Sequence, residues 1–271
     1  MTIGARLKPW IPPAVLRWRR RRAGLVSVFR EASGNWTASA GSGGYDSDHI
    51  LQRVVQATRA VVRGEALYER DSVLFPEPAH SFAVLAALLR TAALNQGVLE
   101  VIDFGGSLGS TYRQCRSFLG PLQRLRWQVV EQPSFVRAGA EFENDELSFA
   151  SDIAELGAFT TAPVVLLSSV LQYIERPREV LEELTRLPAS HLVIDRTPLS
   201  EALDDQLAIQ QVPQHIYGGS YPCWILSRSR LLATLKPHWD ILAEFDCEEG
   251  GDMTDNGLAF EFRGLVLMRR A

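Results

Sequence analysis

The chain has 271 residues, of which 46% are apolar and 22% are charged, so it can bury a large core. Its formal net charge is −4, which excludes a broad positive field for binding nucleic acid. The three cysteines have no metal-binding spacing, and no apolar run has the length of a signal peptide or a membrane span. We therefore expect a globular, cytoplasmic protein without a metal site.

The first 45 residues combine a basic stretch with a later Gly/Ser-rich one, which predicts an arm followed by a flexible joint. Five arginines lie within Arg17–Arg22, next to tryptophan and apolar residues. Such a segment can lie on an anionic membrane surface, which would bring the protein to the inner face of the membrane. A solvated basic arm without a partner is an equally good interpretation.

Residues 46–97 are predicted to form a helical cap. Apolar residues recur at helical spacing after Asp46, and again from about Ala79 to Ala93. The proline-containing segment "LFPEPAH" separates the two predicted helices. Residues 98–271 then form the main domain.

Strands and helices alternate from Val98 onward. The predicted strands are "VLEVIDF", "RWQVVE", "LSFA", "PVVLLS" and "HLVIDR", with helical patterns between most of them. Alternation of this kind predicts right-handed βαβ units and a parallel sheet. The last two strands, "WDILAEFD" and "FRGLVLM", are joined by a polar loop and should pair as an antiparallel hairpin. The expected fold is α/β and Rossmann-like, with a mainly parallel seven-stranded sheet closed by that C-terminal hairpin.

The stretch "VIDFGGSLGS" joins the first of these strands to a helix through a glycine loop. It is not a dinucleotide fingerprint, because Ser107 and Ser110 occupy two of the glycine places, and no Gly-Lys-Ser/Thr follows for a Walker loop. An acid followed by small residues resembles motif I of S-adenosylmethionine (SAM) dependent methyltransferases, D-x-G-x-G-x-G. A tight turn without a chemical role is the alternative. The residues concerned are Asp103, Gly105, Gly106, Ser107 and Gly109.

This resemblance implies roles for residues at the ends of successive strands. The loop would admit the amino-acid moiety and ribose of SAM close to the backbone, and Asp103 would hold the ammonium group directly or through water. Glu131, beside Gln132, would accept the ribose hydroxyls. Asp152 follows the third strand, where an acid contacts adenine, although it also fits a helix-capping pattern. Ser168 and Ser169 would lie beside the methionine part of the cofactor.

Further segments bring the resemblance to family level. These are "WTAS", "GYDSDHIL", "FGGSLGSTY", "VVEQP", "LLSSVLQYI", "VIDRTPL" and "IYGGSYPCWILS". Together they resemble a bacterial family of class I methyltransferases associated with surface-polysaccharide gene clusters. The resemblance implies SAM as cofactor, S-adenosylhomocysteine (SAH) as product, and a small-molecule or saccharide acceptor, including a lipid-linked one. It also implies O-methylation in lipopolysaccharide or exopolysaccharide biosynthesis.

Residues 197–227 would face the transferred methyl group. His215 is the candidate general base, because it is the titratable group of suitable pKa within this insert. Tyr217, with Tyr221 and Trp224, would form an aromatic wall against the acceptor. Alternatively, His215 bonds only the loop backbone and these aromatic residues belong to the core.

Asp195 and its neighbour Arg196, at the end of the fifth predicted strand, would orient polar groups of the acceptor. Two other function classes remain open, a non-catalytic SAM-binding or regulatory protein and a Rossmann oxidoreductase. The second is disfavoured by the serines of the loop and by the absence of a Tyr-x-x-x-Lys pair. The acceptor, the methylated atom and the oligomeric state also stay open.

Overall fold

The structure, a computed structural model, describes residues 27–32, 34–39, 48–77, 79–213 and 218–270. The described helices are α1 (Trp36–Ser39), α2 (Asp48–Val62), α3 (Phe82–Leu94), α4 (Ser110–Leu119), α5 (Pro133–Gly139), α6 (Pro177–Thr185) and α7 (Arg228–Leu235). The first six strands are β1 (Val28–Glu31), β2 (Tyr68–Arg70), β3 (Val73–Phe75), β4 (Val98–Phe104), β5 (Arg124–Val130) and β6 (Leu147–Ala150). The remaining six are β7 (Val164–Ser168), β8 (His191–Ser200), β9 (Gln206–Val212), β10 (Gly219–Ser227), β11 (Trp239–Met253) and β12 (Ala259–Arg269).

Seven strands form the sheet that the sequence predicts. Their order is β6-β5-β4-β7-β8-β12-β11. The first five strands of this order are parallel to their neighbours, whereas β12 runs antiparallel to both β8 and β11. The expected fold class is confirmed, because a mainly parallel α/β sheet ends in an antiparallel C-terminal hairpin.

Helices cover both faces of this sheet, as the continuous apolar strands require. On one face, α3 and α4 pack on residues such as Val101 and Trp127. On the other face, α6 and α7 pack on Ile102 and Leu167. Successive residues of a strand point to opposite faces, so neighbouring residues of β4 belong to different cores.

Three further strands extend the sheet, and they alter the expected division of the chain. β9 and β10 form an antiparallel hairpin within the predicted insert, and β10 also pairs with the end of β8. β1, from the predicted N-terminal arm, pairs with β9 and buries Phe29 against this hairpin. The arm assigned to residues 1–45 therefore contributes a strand to the main sheet. The sequence of β1, "VFRE", lies beside the basic and Gly/Ser-rich stretches that predict an arm over residues 1–45.

The two helices of the predicted cap have different places. α3 shares its core with β4 and β5, so the boundary at residue 97 does not separate two cores. α2 instead lies over the carboxyl edge of the sheet, where Ile50 and Val54 pack with Leu108 of the glycine loop and with Phe135 of α5. Between the two helices, β2 and β3 form a small hairpin that the sequence analysis did not predict.

Candidate functional site

Backbone strain is concentrated at the carboxyl edge of the sheet. Among the described residues, six residues other than glycine have a positive φ, and five of these lie in the glycine loop, directly after β7, in the middle of β8, and in the β2–β3 turn. Left-handed conformations of this kind cost on the order of 1–3 kcal/mol each and cluster at functional sites. The five residues are Asp71, Ser72, Ser107, Ser169 and Arg196.

The glycines of the loop allow close approach to neighbouring side chains. Gly105 has φ 73°, and a Cβ atom there would lie 2.2 Å from Cγ2 of Val170. A Cβ atom on Gly106 would lie 2.4 Å from the carboxyl carbon of Asp103. Gly109, also left-handed, precedes α4 directly. The loop between β4 and α4 can therefore fold tightly over the strand ends only with glycine at these positions.

Asp103 lies beneath this loop rather than at its surface. Its side chain is fully buried, and the indole Nε1 of Trp127 donates a hydrogen bond of 2.9 Å to Oδ2. The other oxygen, Oδ1, is buried and has no hydrogen-bond partner. Burial raises the pKa of Asp103 to about 7, against the lowering effect of the Trp127 hydrogen bond. The contact of Asp103 with the ammonium group of SAM, directly or through water, stays a prediction.

Glu131 ties the loop to the end of β5. Its Oε1 accepts a hydrogen bond of 3.1 Å from the backbone N–H of Ser107, and its Oε2 accepts one of 2.9 Å from the backbone N–H of Gln132. Glu131 is half-buried, and Gln132 is exposed at the start of α5. The carboxylate thus lies at the junction of two parallel strands, where doubly wound sheets bind nucleosides.

Asp152 makes the helix-capping contact that its sequence pattern allows as an alternative to binding adenine. Its Oδ1 accepts a hydrogen bond of 2.7 Å from the backbone N–H of Ala154, at the start of a short helical turn. Glu155 binds Ser151 in the same turn. The side chain of Asp152 is exposed, and its contact with adenine stays a prediction.

A polar cluster lies where β7 ends beside the middle of β8. Ser168 donates its hydroxyl hydrogen to Oδ2 of Asp195 over 2.7 Å, and Nε of Arg196 lies 3.5 Å from the same carboxyl oxygen. The backbone N–H of Ser169 donates to the carbonyl of Asp195 over 2.9 Å. Burial lowers the pKa of Arg196, but the carboxylates of Asp195 and Glu249 outweigh this effect and raise it. Arg196 is therefore a charged group held by acids.

The other predicted acceptor residues have varied outcomes. His215 and Tyr217 lie outside the described residues. Tyr221 is buried against α2 and α5, with its ring edge-on to Tyr173 at 5.4 Å. Trp224 stacks on Trp36 at 5.8 Å and donates its N–H to the carbonyl of residue 175. For Tyr221 and Trp224 the structure favours the core interpretation over the aromatic wall.

The β2–β3 hairpin brings further charged residues to this edge. Glu69 is buried; it accepts hydrogen bonds from the hydroxyl of Ser110 and, over 3.2 Å, from the backbone N–H of Ser72. Burial raises the pKa of Glu69 to about 7. Arg70 lies 3.5 Å from Glu249. Three-residue strands leave no detectable alternation, although the pair "YER" and "VLF" around a two-residue turn is a weak hairpin signal.

Other features of the described residues add no second site. Two surface clefts of about 530 and 410 Å³ lie beside residues 153–162 and between α2 and the β2–β3 hairpin, and neither is lined by the glycine loop. Within the described part of the chain, no three His, Cys, Asp or Glu side chains group as metal ligands would. None of the helices described here combines the length and apolar character needed to cross a bilayer.

No family model and no curated protein matches the chain. Solved structures with a similar backbone include the N-terminal domain of EvdMO1 in the presence of SAH and D-fucose (15% identity, 83% of this chain, 99% of that chain, TM-score 0.46). Another is the N-methyltransferase NodS of Bradyrhizobium japonicum with SAH (13% identity, 79% of this chain, 99% of that chain, TM-score 0.45). A third is SAM-bound CalS10, an amino pentose methyltransferase of Micromonospora echinaspora (12% identity, 79% of this chain, 97% of that chain, TM-score 0.46). At these identities and TM-scores, the site is assigned from the geometry of this chain alone.

Proposed function

We propose that this chain is a class I SAM-dependent methyltransferase that methylates a hydroxyl group of a small-molecule or saccharide acceptor. The proposed setting is the biosynthesis of surface polysaccharide, either lipopolysaccharide or exopolysaccharide. One observation carries the cofactor assignment: the Glu131 carboxylate at the end of β5 binds the backbone N–H of Ser107 in the glycine loop after β4. This places an acid and a loop of small residues together at the carboxyl edge of the sheet.

The residues present fit SAM in three respects. Glu131 can accept ribose hydroxyls, since a carboxylate offers about four acceptor positions. The loop has no bulky side chain at Gly105, Gly106 or Gly109, and Ser107 adopts the left-handed conformation of the glycine it replaces. The end of β7, at Ser168, borders the place expected for the methionine moiety. Asp103, whose Oδ1 has no hydrogen-bond partner among the described residues, would hold the ammonium group of SAM directly or through water.

When bound, SAM supplies a methyl group on a positively charged sulfur, and SAH is the product. The protein must align the acceptor hydroxyl with that methyl group and remove the hydroxyl proton. SAM would supply the methyl carbon of the new C–O bond, and SAH would keep the electron pair of the broken C–S bond, while the base of this chain would take the hydroxyl proton. We propose His215 as this base and Tyr217 as its neighbour against the acceptor. Asp195, fixed by Ser168 and Arg196, would orient the acceptor.

A lipid-linked acceptor would bring this reaction to the inner face of the membrane. Arg17–Arg22 could then contact anionic lipid headgroups, with each arginine contributing about 1 kcal/mol. This part of the proposal is supported by the sequence alone, because these residues lie outside the described part of the chain.

Calorimetry with SAM, SAH and NAD tests the cofactor. We expect SAM and SAH to bind and NAD not to bind. Glu131→Gln should weaken SAH binding about 10- to 100-fold, since a hydrogen bond to a charged group contributes about 1.5–3 kcal/mol. Glu146→Gln is the matched control, because Glu146 precedes β6 at the opposite edge, where it binds Tyr112 and Arg116. Binding of NAD without SAM, or unchanged SAH affinity in Glu131→Gln, would contradict the proposal.

Transfer itself is tested with tritiated SAM and a panel of nucleotide-activated and lipid-linked sugars. Label in a sugar fraction would support the enzymatic proposal. Cofactor binding without label in any fraction would instead favour the non-catalytic SAM-binding alternative.

A further inference from the structure

The hydroxyl group of Tyr68 is buried without a partner. Its side chain is 2% exposed, and no hydrogen-bond partner for Oη is present among the described residues. The ring is held in place, because it stacks on Phe75, its cross-strand neighbour, with centroids 4.7 Å apart and planes 2° apart. Most buried hydroxyl groups in proteins are hydrogen-bonded, so this exception needs an explanation.

Three segments of the chain lie near Tyr68, whose ring centroid is 5.9 Å from the guanidinium carbon of Arg70. Tyr68 and Arg70 come from the β2–β3 hairpin, Asp195 and Arg196 from β8, and Glu249 from the outer part of β11. The charges of Arg70 and Arg196 act on the Tyr68 hydroxyl, as does that of Glu248. Glu249 joins the segments, with Oε1 3.5 Å from Nη1 of Arg70 and 3.9 Å from Nη1 of Arg196. We call these five residues, Tyr68, Arg70, Asp195, Arg196 and Glu249, the polar junction.

Acidic side chains in and beside the polar junction outnumber its two guanidinium groups. Arg70 is 4.0 Å from Glu248 as well as close to Glu249, and Arg196 is paired with both Asp195 and Glu249. Within the junction, two guanidinium groups thus face two carboxylates. Glu248 and Asp71, which lie outside it, act on Arg70 and Arg196 as further acids. The balance is negative, which disfavours an anionic ligand.

We propose that the polar junction is the acceptor subsite and that the Tyr68 hydroxyl contacts the acceptor, which is a neutral, polyhydroxylated ring. This inference rests on the proposed function. Sugar hydroxyls both donate and accept, and the junction offers both carboxylate acceptors and guanidinium donors, with a phenol that can do either. The Ser168 hydroxyl connects the junction to the end of β7, because Asp195 and Arg196 both bind it. The subsite thereby adjoins the place proposed for the methionine moiety of SAM.

Tyr68→Phe tests this inference, because it removes the hydroxyl and keeps the ring that stacks on Phe75. A buried hydroxyl without a partner destabilises the protein, so its removal should raise the melting temperature of the ligand-free protein by about 2–4 °C. SAH affinity should stay within about twofold, because Tyr68 is not proposed to touch the cofactor. The kcat/KM for transfer from tritiated SAM to neutral methyl hexosides should fall about 10-fold or more, as expected when a site loses a hydrogen bond to a substrate hydroxyl.

Tyr112→Phe is the matched control. The Tyr112 hydroxyl donates a 2.8 Å hydrogen bond to Glu146, at the opposite edge of the sheet. Its removal should lower the melting temperature and leave transfer unchanged.

The probes are methyl glycosides of neutral hexoses, 6-deoxyhexoses, hexosamines and hexuronic acids. We expect transfer to the neutral rings and little to the hexuronic acids. Faster transfer to hexuronic acids, no transfer to a neutral ring by a protein that binds SAH, or unchanged transfer in Tyr68→Phe would each overturn the inference. A wild-type protein that fails to bind SAH would overturn the proposed function itself.

Discussion

Two carboxylates on strand β4, only three residues apart, have opposite environments. Oε2 of Glu100 accepts four hydrogen bonds of 2.6–3.2 Å from the backbone N–H and hydroxyl groups of Thr160 and Thr161. Arg126 lies 3.8 Å from its other oxygen. Asp103, equally buried, has one hydrogen bond and one oxygen without a partner. Oε1 of Glu100 likewise has no hydrogen-bond partner among the described residues. The two carboxylates differ in their other oxygen, because four donors surround Oε2 of Glu100, whereas one donor contacts Oδ2 of Asp103.

The difference follows the direction of the strand. Glu100 lies toward the amino edge of the sheet, where a loop from another crossover wraps around it and supplies its donors. Asp103 lies under the glycine loop, where Ser107 is left-handed. A buried acid that is surrounded by donors stabilises the fold, and one without them is retained at a cost in stability, as expected near a binding site. The two ends of one strand therefore separate an edge where donors hold a buried acid from the edge proposed to bind the cofactor.

Removal of the Glu100 side chain should have the largest effect on stability. Glu100→Ala leaves the donors of Thr160 and Thr161 and the charge of Arg126 without their acceptor. Breaking a buried charged network in this way costs about 3–5 kcal/mol. Urea unfolding should show this loss, and the fraction that remains folded should bind SAH as the wild type does.

Glu183→Ala is the control for this variant, because Glu183 is exposed on α6. Its free energy of unfolding should lie within about 0.5 kcal/mol of the wild type. A loss of less than about 1 kcal/mol in Glu100→Ala would contradict the structural role, since that is the average effect of any substitution.

The pH dependence of stability should have opposite signs at the two positions. The donors around Glu100 lower its pKa despite burial, so its contribution is present above the pKa of the unfolded chain and is lost on acidification. Burial raises the pKa of Asp103 from 3.8 to about 7. Between these values the folded protein keeps a proton that the unfolded chain releases, so stability falls as the pH rises from about 4 to 7.

Asp103→Asn should remove this second effect. The difference in unfolding free energy between Asp103→Asn and the wild type should shift in favour of the variant by about 2–4 kcal/mol from pH 4 to pH 7. Urea titrations at several pH values measure it. For Glu69→Gln we expect a shift of the same sign, because burial also raises the pKa of Glu69 to about 7. A difference that stays constant with pH would show that Asp103 is ionised in the fold at neutral pH.

The mainly parallel sheet and the clustering of its strand ends could be predicted from the sequence, because both follow from the alternation of strand and helix patterns. Val98–Phe104 reads as a buried strand, and a parallel sheet brings strand ends such as Asp103 and Glu131 to one edge. The hydrogen bond between Glu131 and Ser107 follows from that placement. The spacing of the motifs was therefore enough to predict the residues that are proposed to bind the cofactor.

The residues of the proposed acceptor subsite could not be predicted, because they come together only through contacts between distant segments. Tyr68, Arg196 and Glu249 are more than 50 residues apart from one another in the chain and meet only when the β2–β3 hairpin folds over β8 and β11. The burial of Asp103 could not be predicted for a related reason. Sequence shows that an acid ends the strand, but not that Trp127 and the loop enclose it.

Asp152 provides the smallest expected effect and a sharper test of the carboxyl edge, because its carboxylate can cap a turn, contact a ligand, or do both. Ser is as good a cap as Asp but is too short to reach a ligand, so Asp152→Ser should preserve stability, whereas Asp152→Ala should lose about 1 kcal/mol or less. If the carboxylate contacts adenine, as the sequence predicts, Asp152→Ser should still weaken SAH binding several-fold, corresponding to one hydrogen bond of about 0.5–1.5 kcal/mol. Urea unfolding and calorimetry with SAH on the two variants separate these roles. Unchanged SAH affinity in Asp152→Ser would show that Asp152 only caps the turn at Ala154, so that its role, like that of Glu100, is structural.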